Sequence, residues 1–506
     1  MKTKNVIINK NDTKLNIFKK GNKKLILCHG VFDIVHIGHV YHFKKAKSFG
    51  DILIVSITST KFVNKGPFRP IFTDEKRAEM LLSLDIVDYV IINHDYDAVK
   101  LIKKLKPNFY CKGLDYIKKN NDITKKIYLE DKAVKDTGGE IIYTETSKYS
   151  SSNLINYYNI NLNKNQSKFI NDLKKNFNLN LIDTYLKNLS SLKVMIIGET
   201  IIDEYVLCNT LGKAGKDPIL TLKELNTSKY AGGVVSIANH ISDFTKSIDI
   251  YSVIGDKNSN LSFIKKSIKK NVNFNYIIKP NASTIIKKRF IDNEKKSKII
   301  GVYDINDNDL AKKEQNLLNK KIDKKLKSYD LVIVADYGHG FINKNTIKLL
   351  SKKSKFLCVN TQLNSANIGY HTISKYSKAD FVCMHEGELR HDVRSKKDNI
   401  NTLISNLQKK LKSKSVTVTR GGDGAIFYSK KTGFKDCPAF ANNVIDKIGA
   451  GDTLFAIMSI FMTIKANPIF SLFIGNIAGG DAVSNIGNSK SISKIDIIKA
   501  AKSMLL

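Results

Sequence analysis

What most constrains this chain is a rhythm that runs, stops and starts again. From Lys24 to about Ile160 the short apolar runs "KLILC", "DILIVSI", "VDYVII", "PNFYCK" and "GEIIYTE" read as strands bounded by turn residues. Between them, "IGHVYHFKKAKSFG" and "DEKRAEMLLSL" read as amphipathic helices, the second with Thr73 as N-cap and Asp74 and Glu75 in its first turn. Strands alternating with helices predict a parallel sheet joined by crossover helices. The rhythm stops at the asparagine-rich "YYNINLNKNQSK" and resumes at "LKVMIIGETIIDEY", after a helix-like segment from Phe169 to Leu192. The chain of 506 residues is long enough for more than one core. The expected division is a first domain over 1–156, a linker over 157–168 and a second α/β domain over 169–506.

Composition narrows the function classes. No run of about 18 uncharged apolar residues occurs, so no membrane span is expected. The start "MKTKNVIINKNDTKLNIFKK" lacks an apolar stretch long enough for a signal peptide, and a cytoplasmic protein is the expectation. The six cysteines (Cys28, Cys111, Cys208, Cys358, Cys383, Cys437) form no CxxC or zinc-finger spacing. They read as buried small hydrophobes, not as a disulfide frame or a zinc site. Lys and Arg number 83 against 47 Asp and Glu, a formal charge of +36. The excess is lysine scattered among asparagine and isoleucine, with no basic stripe carrying interleaved aromatics. No nucleic-acid partner is expected, although such a surface draws in small anions.

Two glycine-rich strand-to-helix turns carry the chemistry. In "CHGVFDIVHIGH" an apolar run ends at Cys28 and a helix opens near Ile37. His36 and His39 then lie about one turn apart at the helix N-terminus, where free N–H groups and the dipole favour an anion. Two imidazoles there can donate to a phosphate, and Gly38 allows close backbone approach. The same spacing on its own also suits zinc ligands or packed core histidines.

The segment "GVFDIVHIGH" resembles the signature of the HxGH nucleotidyltransferases, the cytidylyltransferase-like superfamily. The resemblance continues through "STKFVNKGPFRPIFTDEKRAEMLLSLDIVDYVI", "PNFYCKGLDY" and "YSSSNLIN", in the family's order. It implies a Rossmann-like domain that transfers a nucleoside monophosphate from an NTP to a phosphorylated substrate, with Mg²⁺ and release of pyrophosphate. His36 and His39 would be the catalytic residues on the NTP phosphates. Gly30, Phe32, Asp33, Gly38, Lys44, Lys61, Arg77, Lys112, Gly113, Asp115, Ser150, Ser151 and Ser152 would line the nucleotide site.

Late in the chain, "NNVIDKIGAGDTLFAIMSIF" sets Gly449, Ala450 and Gly451 at a turn before an apolar helix, with Asp452 at its start. Converging amides can hold developing negative charge while Asp452 acts as a base; an N-capping aspartate in a tight turn gives the same pattern. The segment resembles the ribokinase/phosphofructokinase-B signature DxxGAGD, with Asp446 leading. "AGGVVSIAN", "GETIIDEY" and "VTRGGDGAIF" match further motifs of that family. The resemblance implies a three-layer α/β/α carbohydrate kinase that phosphorylates a sugar hydroxyl with ATP. Asp452 would be the catalytic base. Thr419, Gly421, Gly424 and the Gly449–Gly451 amides would serve the nucleotide, and Asp203, Gly232, Gly233 and Asn239 the sugar. Glu388 would organise Mg²⁺ indirectly. The neighbouring His385 departs from the family's asparagine, which puts metal binding or rate in doubt.

A transferase and a sugar kinase in one chain resemble the bifunctional heptose-phosphate kinase/adenylyltransferases of bacterial surface-glycan synthesis, in reversed order. The implied partners are sugar phosphates, ATP, and ATP or CTP as nucleotidyl donor, with a homodimer allowed. The alternative is a polyol-phosphate-type cytidylyltransferase carrying a non-catalytic, ligand-sensing kinase-like domain.

Overall fold

The computed structural model describes residues 6–9, 23–114, 126–144, 162–441 and 443–505. The chain divides into two compact units, Met1–Ser167 with Ile498–Leu506, and Lys168–Ile497.

In the N-terminal unit, six strands form one sheet: Val6–Asn9 (β1), Leu25–Gly30 (β2), Ile52–Thr58 (β3), Tyr89–Asn93 (β4), Phe109–Gly113 (β5) and Glu140–Thr144 (β6). Their order is β1-β4-β3-β2-β5-β6, and every pairing is parallel. Ile26, Leu27 and Cys28 of β2 are all fully buried, as a strand covered on both faces requires. From β2 the chain winds one way through β3 and β4 and the other way through β5 and β6. The crevice beyond the carboxyl end of β2 is therefore the topological switch point, where such sheets bind ligands. Helix Asp74–Leu82 is capped as expected, with the Thr73 hydroxyl accepting from the Lys76 amide. Strand β1 and the crossover helices Val99–Leu105 and Lys126–Asp136 add to the elements read from the sequence.

The second unit opens with two helices, Lys164–Asn176 and Leu181–Leu189. The first begins inside the segment read as a linker. The single helix expected over Phe169–Leu192 is broken where the Asn178 side chain accepts from the Asn180 amide and turns the chain.

Thirteen strands follow: Lys193–Gly198 (β7), Thr200–Lys213 (β8), Leu220–Gly233 (β9), Ser247–Lys257 (β10), Val272–Ser283 (β11), Ile285–Asp292 (β12), Lys298–Asp304 (β13), Leu331–Asp336 (β14), Leu357–Thr361 (β15), Phe381–His385 (β16), Ser415–Thr419 (β17), Ala425–Ser429 (β18) and Gly433–Cys437 (β19). Nine make the main sheet, β11-β10-β7-β14-β15-β16-β17-β18-β19, parallel from β11 to β17 and antiparallel at the β18–β19 edge. The other four form a separate sheet, β13-β12-β8-β9, which the strand–helix rhythm did not announce. All six cysteines are buried. Among the described residues, no helix is long and apolar enough to cross a membrane.

Candidate functional sites

At the switch point of the N-terminal sheet, His36 is the N-cap of helix Ile37–Lys47. Its Nδ1 accepts from the Gly38 amide (3.2 Å), and the His36 amide donates to Nδ1 of His39 (3.3 Å). A ring nitrogen that accepts an N–H carries no proton, so each neutral imidazole holds its proton on Nε2. The two rings stack with centroids 3.9 Å apart. Burial, then the neighbouring His36, His42 and Lys65, push His39 down to about 3, and burial also lowers His36. Both rings are therefore neutral at neutral pH, each with one N–H to donate. His36 Nε2 is buried with no partner among the described residues, a donor waiting for an acceptor.

The residues around the pair divide into those that face the crevice and those that hold its walls. Phe32, in the left-handed region at φ 47°, packs edge-on against His39 and props the ring. Gly30 lies under Phe32, where a Cβ would come within 3.0 Å of its ring. Asp33 is buried and engaged on both oxygens, by the Ile71 amide (2.6 Å) and Arg69 Nε (2.8 Å). Arg77, expected near the phosphates, is fully buried. Its five donors go to Phe72 O, Val31 O, Thr58 O, Thr60 Oγ1 and Asp74 Oδ1. Both therefore position the loop Val63–Phe72.

Lys112, on β5, reaches the carbonyl of His29 (3.3 Å) and pairs with Glu130 (3.1 Å), and Gly113 ends the same strand. Lys44 and Lys61 are exposed, and no contact among the described residues ties either to the histidines. Asp115, Ser150, Ser151 and Ser152 lie outside the described residues. Lys65 and Arg69 were missed in the sequence. Burial, then repulsion from Arg69, brings Lys65 down to about 8, and Arg69 Nη2 is a second buried donor without a partner among the described residues.

In the second unit a cavity of about 960 Å³ lies between the two sheets. The small sheet contributes Asp203, Gly233, Lys287 and Arg289. The carboxyl edge of the main sheet contributes Tyr337, Asn360, His385 and Thr419, and the glycine turn contributes Gly449, Ala450, Gly451 and Asp452. Glu388, Gly421 and Gly424 also line it. Helix Ala450–Thr463 starts from Gly449, at φ 84°, where a Cβ would strike Asn488 Oδ1 at 2.5 Å. Only glycine fits that turn. Asp452 Oδ2 accepts from the Tyr337 hydroxyl (3.0 Å), and burial raises its carboxyl to about 6. Asp446 ties the wall together, accepting from Tyr205 Oη of β8 (2.6 Å), Lys298 Nζ of β13 (2.6 Å) and the Gly487 amide (3.0 Å).

Asp203 pairs with Arg289 (2.5 Å) and sits against Gly232, where a Cβ would lie 2.4 Å from Oδ2. Asn239, expected on the sugar, does not line this cavity: its side-chain amide donates to Ser267 O (2.8 Å) and its Oδ1 accepts from the Lys269 amide (3.3 Å). It stands six residues beyond Gly233, about 9 Å along a helix axis. His385 caps helix Glu386–Asp392, its Nδ1 accepting from the Gly387 amide (3.0 Å), as an asparagine oxygen would. Glu388 accepts from the amides of His385 (2.7 Å) and Leu363 (3.1 Å), and burial raises it to about 7. Lys287, Arg289, Tyr337 and Asn488 carried no motif and went unread in the sequence.

Comparison with known proteins gives each unit a relative. The model of the pfkB family carbohydrate kinases matches residues 191–489, and that of the cytidylyltransferase-like family matches residues 27–156. The chain is 45% identical over 101 residues to the bifunctional protein HldE of Sulfurimonas denitrificans, covering 20% of this chain and 21% of that protein. It is 40% identical over 122 residues to the HldE of Campylobacter jejuni, covering 23% and 26%. The chain thus spans about a quarter or less of the length of these relatives. Phosphofructokinase-2 from Escherichia coli, solved with potassium, superposes with a TM-score of 0.50 at 13% identity, covering 62% of this chain and 99% of that one. The tetrameric inhibited form of that enzyme gives 0.50 at 14% identity, over 62% and 99%. At such identities the likeness establishes the ribokinase-like fold of the second unit.

Proposed function

The chain belongs to the pfkB family of carbohydrate kinases, and on that premise we propose a bifunctional enzyme of nucleotide-sugar synthesis. The C-terminal unit phosphorylates a sugar or sugar phosphate with ATP. The N-terminal unit transfers a nucleoside monophosphate from ATP or CTP to a sugar phosphate, toward an NDP-activated, heptose-like donor. The observation that carries the reading is Asp452, a half-buried carboxylate at the glycine turn, lining a cavity that also holds Asp203.

In the kinase step Asp452 takes the proton of the sugar hydroxyl as its oxygen attacks the γ-phosphorus. The bond to the β-bridging oxygen breaks, and ADP leaves with the electron pair. The amides of Gly449–Asp452 face the charge that builds on the transferred group. Asp203, fixed by Arg289, orients sugar hydroxyls. Among the described residues no group of three or more His, Cys, Asp or Glu could hold a metal ion. Glu388, a carboxylate of the cavity wall apart from the Asp452 turn in sequence, fits a hydrated Mg²⁺ that would arrive on the nucleotide phosphates and neutralise their charge.

In the transfer step a phosphate oxygen of the sugar phosphate attacks the α-phosphorus and pyrophosphate leaves. The nucleophile is already ionised, so no base is needed, and the Nε2–H groups of His36 and His39 donate to the oxygens that gain charge. The test is one preparation screened for ADP release with a sugar panel and for pyrophosphate release with all four NTPs. Release of both products, lost separately in Asp452→Asn and His36→Ala, supports the reading. No ADP from any sugar returns the kinase-like unit to a sensing role.

A further inference from the structure

The last turns of the chain group with the N-terminal unit, which the sequence rhythm alone does not suggest. In helix Lys494–Leu505, Ala500, Ala501, Met504 and Leu505 are buried. Ala500 meets Gly66: a Cβ on Gly66 would lie 3.2 Å from Ala500 Cα and 3.3 Å from Ala500 Cβ. Gly66 itself sits at φ +98°, so this turn of the Val63–Phe72 loop takes its shape from glycine and its seat from alanine.

The seat fixes what stands beside it. Lys65 precedes Gly66 and Lys499 precedes Ala500, and the two ammonium groups repel one another, with Arg69 and Arg77 adding to the repulsion on Lys65. The Lys65 charge also reaches His39. The carboxylate among these groups, Asp33, is held by Arg69 and by the Ile71 amide. His36 Nε2 and Arg69 Nη2, two buried donors with no partner among the described residues, belong to the same loop-and-histidine region. Crowded cations beside unsatisfied donors are unfavourable alone, and a polyanion relieves both terms at once.

We propose that the C-terminal helix completes the nucleotidyl-transfer site: Ala500 seats the Lys65–Gly66 turn, and Lys499 joins Lys65 and Arg69 in holding the β- and γ-phosphates that leave as pyrophosphate. This rests on the reading of the N-terminal unit as a nucleotidyltransferase. The step adds no chemistry to the transfer. The Pα–O bond to the β-phosphate breaks as above, and the cations meet the charge that arrives on the leaving group.

The test uses the full chain, with inorganic pyrophosphate as the calorimetric probe and pyrophosphate release as the kinetic one. Lys499→Gln weakens pyrophosphate binding about tenfold and raises KM for the NTP by a similar factor, while KM for the sugar phosphate and the rate of ADP release stay at wild type. Lys499→Arg restores both to within about twofold. Ala500→Val lowers kcat for transfer at least about fivefold with ADP release intact. Wild-type binding and KM in Lys499→Gln overturn the cation role, as does an Arg variant that fails to rescue. Wild-type kcat in Ala500→Val overturns the seat. A wild-type chain that binds pyrophosphate in a Lys499-dependent way but releases none from any NTP keeps the anion site and overturns the transferase reading instead.

Discussion

On the proposed reading the two units meet negative charge on phosphorus with opposite equipment. The N-terminal crevice offers neutral imidazoles whose protons are fixed on Nε2 by backbone amides at Nδ1. The C-terminal cavity offers a carboxylate, Asp452, at a turn that only glycine can make. The difference follows from the nucleophile each would serve. A phosphate monoester arrives ionised and needs donors; a sugar hydroxyl must lose a proton and needs a base. A site's titratable group thus tells which end of the reaction the chain must assist.

The sharpest way to break this contrast is to remove one group from each side. Asp452→Asn should lower ADP release by roughly 10³-fold and leave pyrophosphate release untouched. His36→Ala should lower pyrophosphate release by about 10²–10³-fold and spare ADP release. Both rates are read in one preparation by coupled assays. A variant that lowers the two together means that the sites are not independent.

Next in size is a wall residue. Arg77→Met takes a donor from three carbonyls and the Thr60 hydroxyl and the cation from Asp74, which keeps the Thr60 amide and hydroxyl, and should cost the N-terminal unit about 3–5 kcal/mol. Lys44→Met, at an exposed position, should stay within about 0.5 kcal/mol. Calorimetric unfolding separates them. Equal small losses would return Arg77 to the phosphate side.

The contrast also predicts different acid limbs. A base must be ionised to act, and Asp452 is raised to about 6 by burial, so kinase kcat/KM should fall tenfold per unit as pH drops below about 6. The groups that act on Asp452 are Tyr337, Lys287 and Asp203, and Glu388 feels its charge; the Tyr337 hydrogen bond and then the Lys287 charge favour the carboxylate, so Lys287→Met should move the limb upward. His39, at about 3, gives the transfer reaction no limb between pH 6 and 8. A transfer rate that halves near pH 6.5 would mean an imidazolium works there after all.

Legibility in the sequence followed local order. The strands from β2 to β6, the Thr73 cap, the histidine pair and the Gly449–Asp452 turn were readable because each is encoded by neighbours in the chain. The small sheet was not: β8–β9 and β12–β13 are hairpins, but the parallel pairing that joins them sets Ile201 beside Ile285, far along the chain, and their polar faces blur the alternation. Lys65 was invisible for a different reason: in a chain this rich in lysine, one more carries no signal until the fold buries it. Arg77 was found but given the wrong partner, because a motif fixes a position and not a direction. Asn239 matched a residue type while sitting most of two turns too far along its helix.

The smallest effect tests the departure that looked most damaging. His385 occupies the place of an expected asparagine, and the loss of that amide bears on the Glu388 side of the cavity. In the structure His385 Nδ1 takes the Gly387 amide and its own amide goes to Glu388, a reciprocal capping arrangement that an asparagine would also make. His385→Asn should therefore change stability by less than about 0.5 kcal/mol, whereas His385→Ala should cost about 1 kcal/mol by leaving the helix start uncapped. Kinase kcat in the asparagine variant should stay within about twofold of wild type, because Glu388 keeps its place through the Leu363 amide as well. A larger gain in kcat on restoring asparagine would show that the imidazole costs the reaction something beyond the cap.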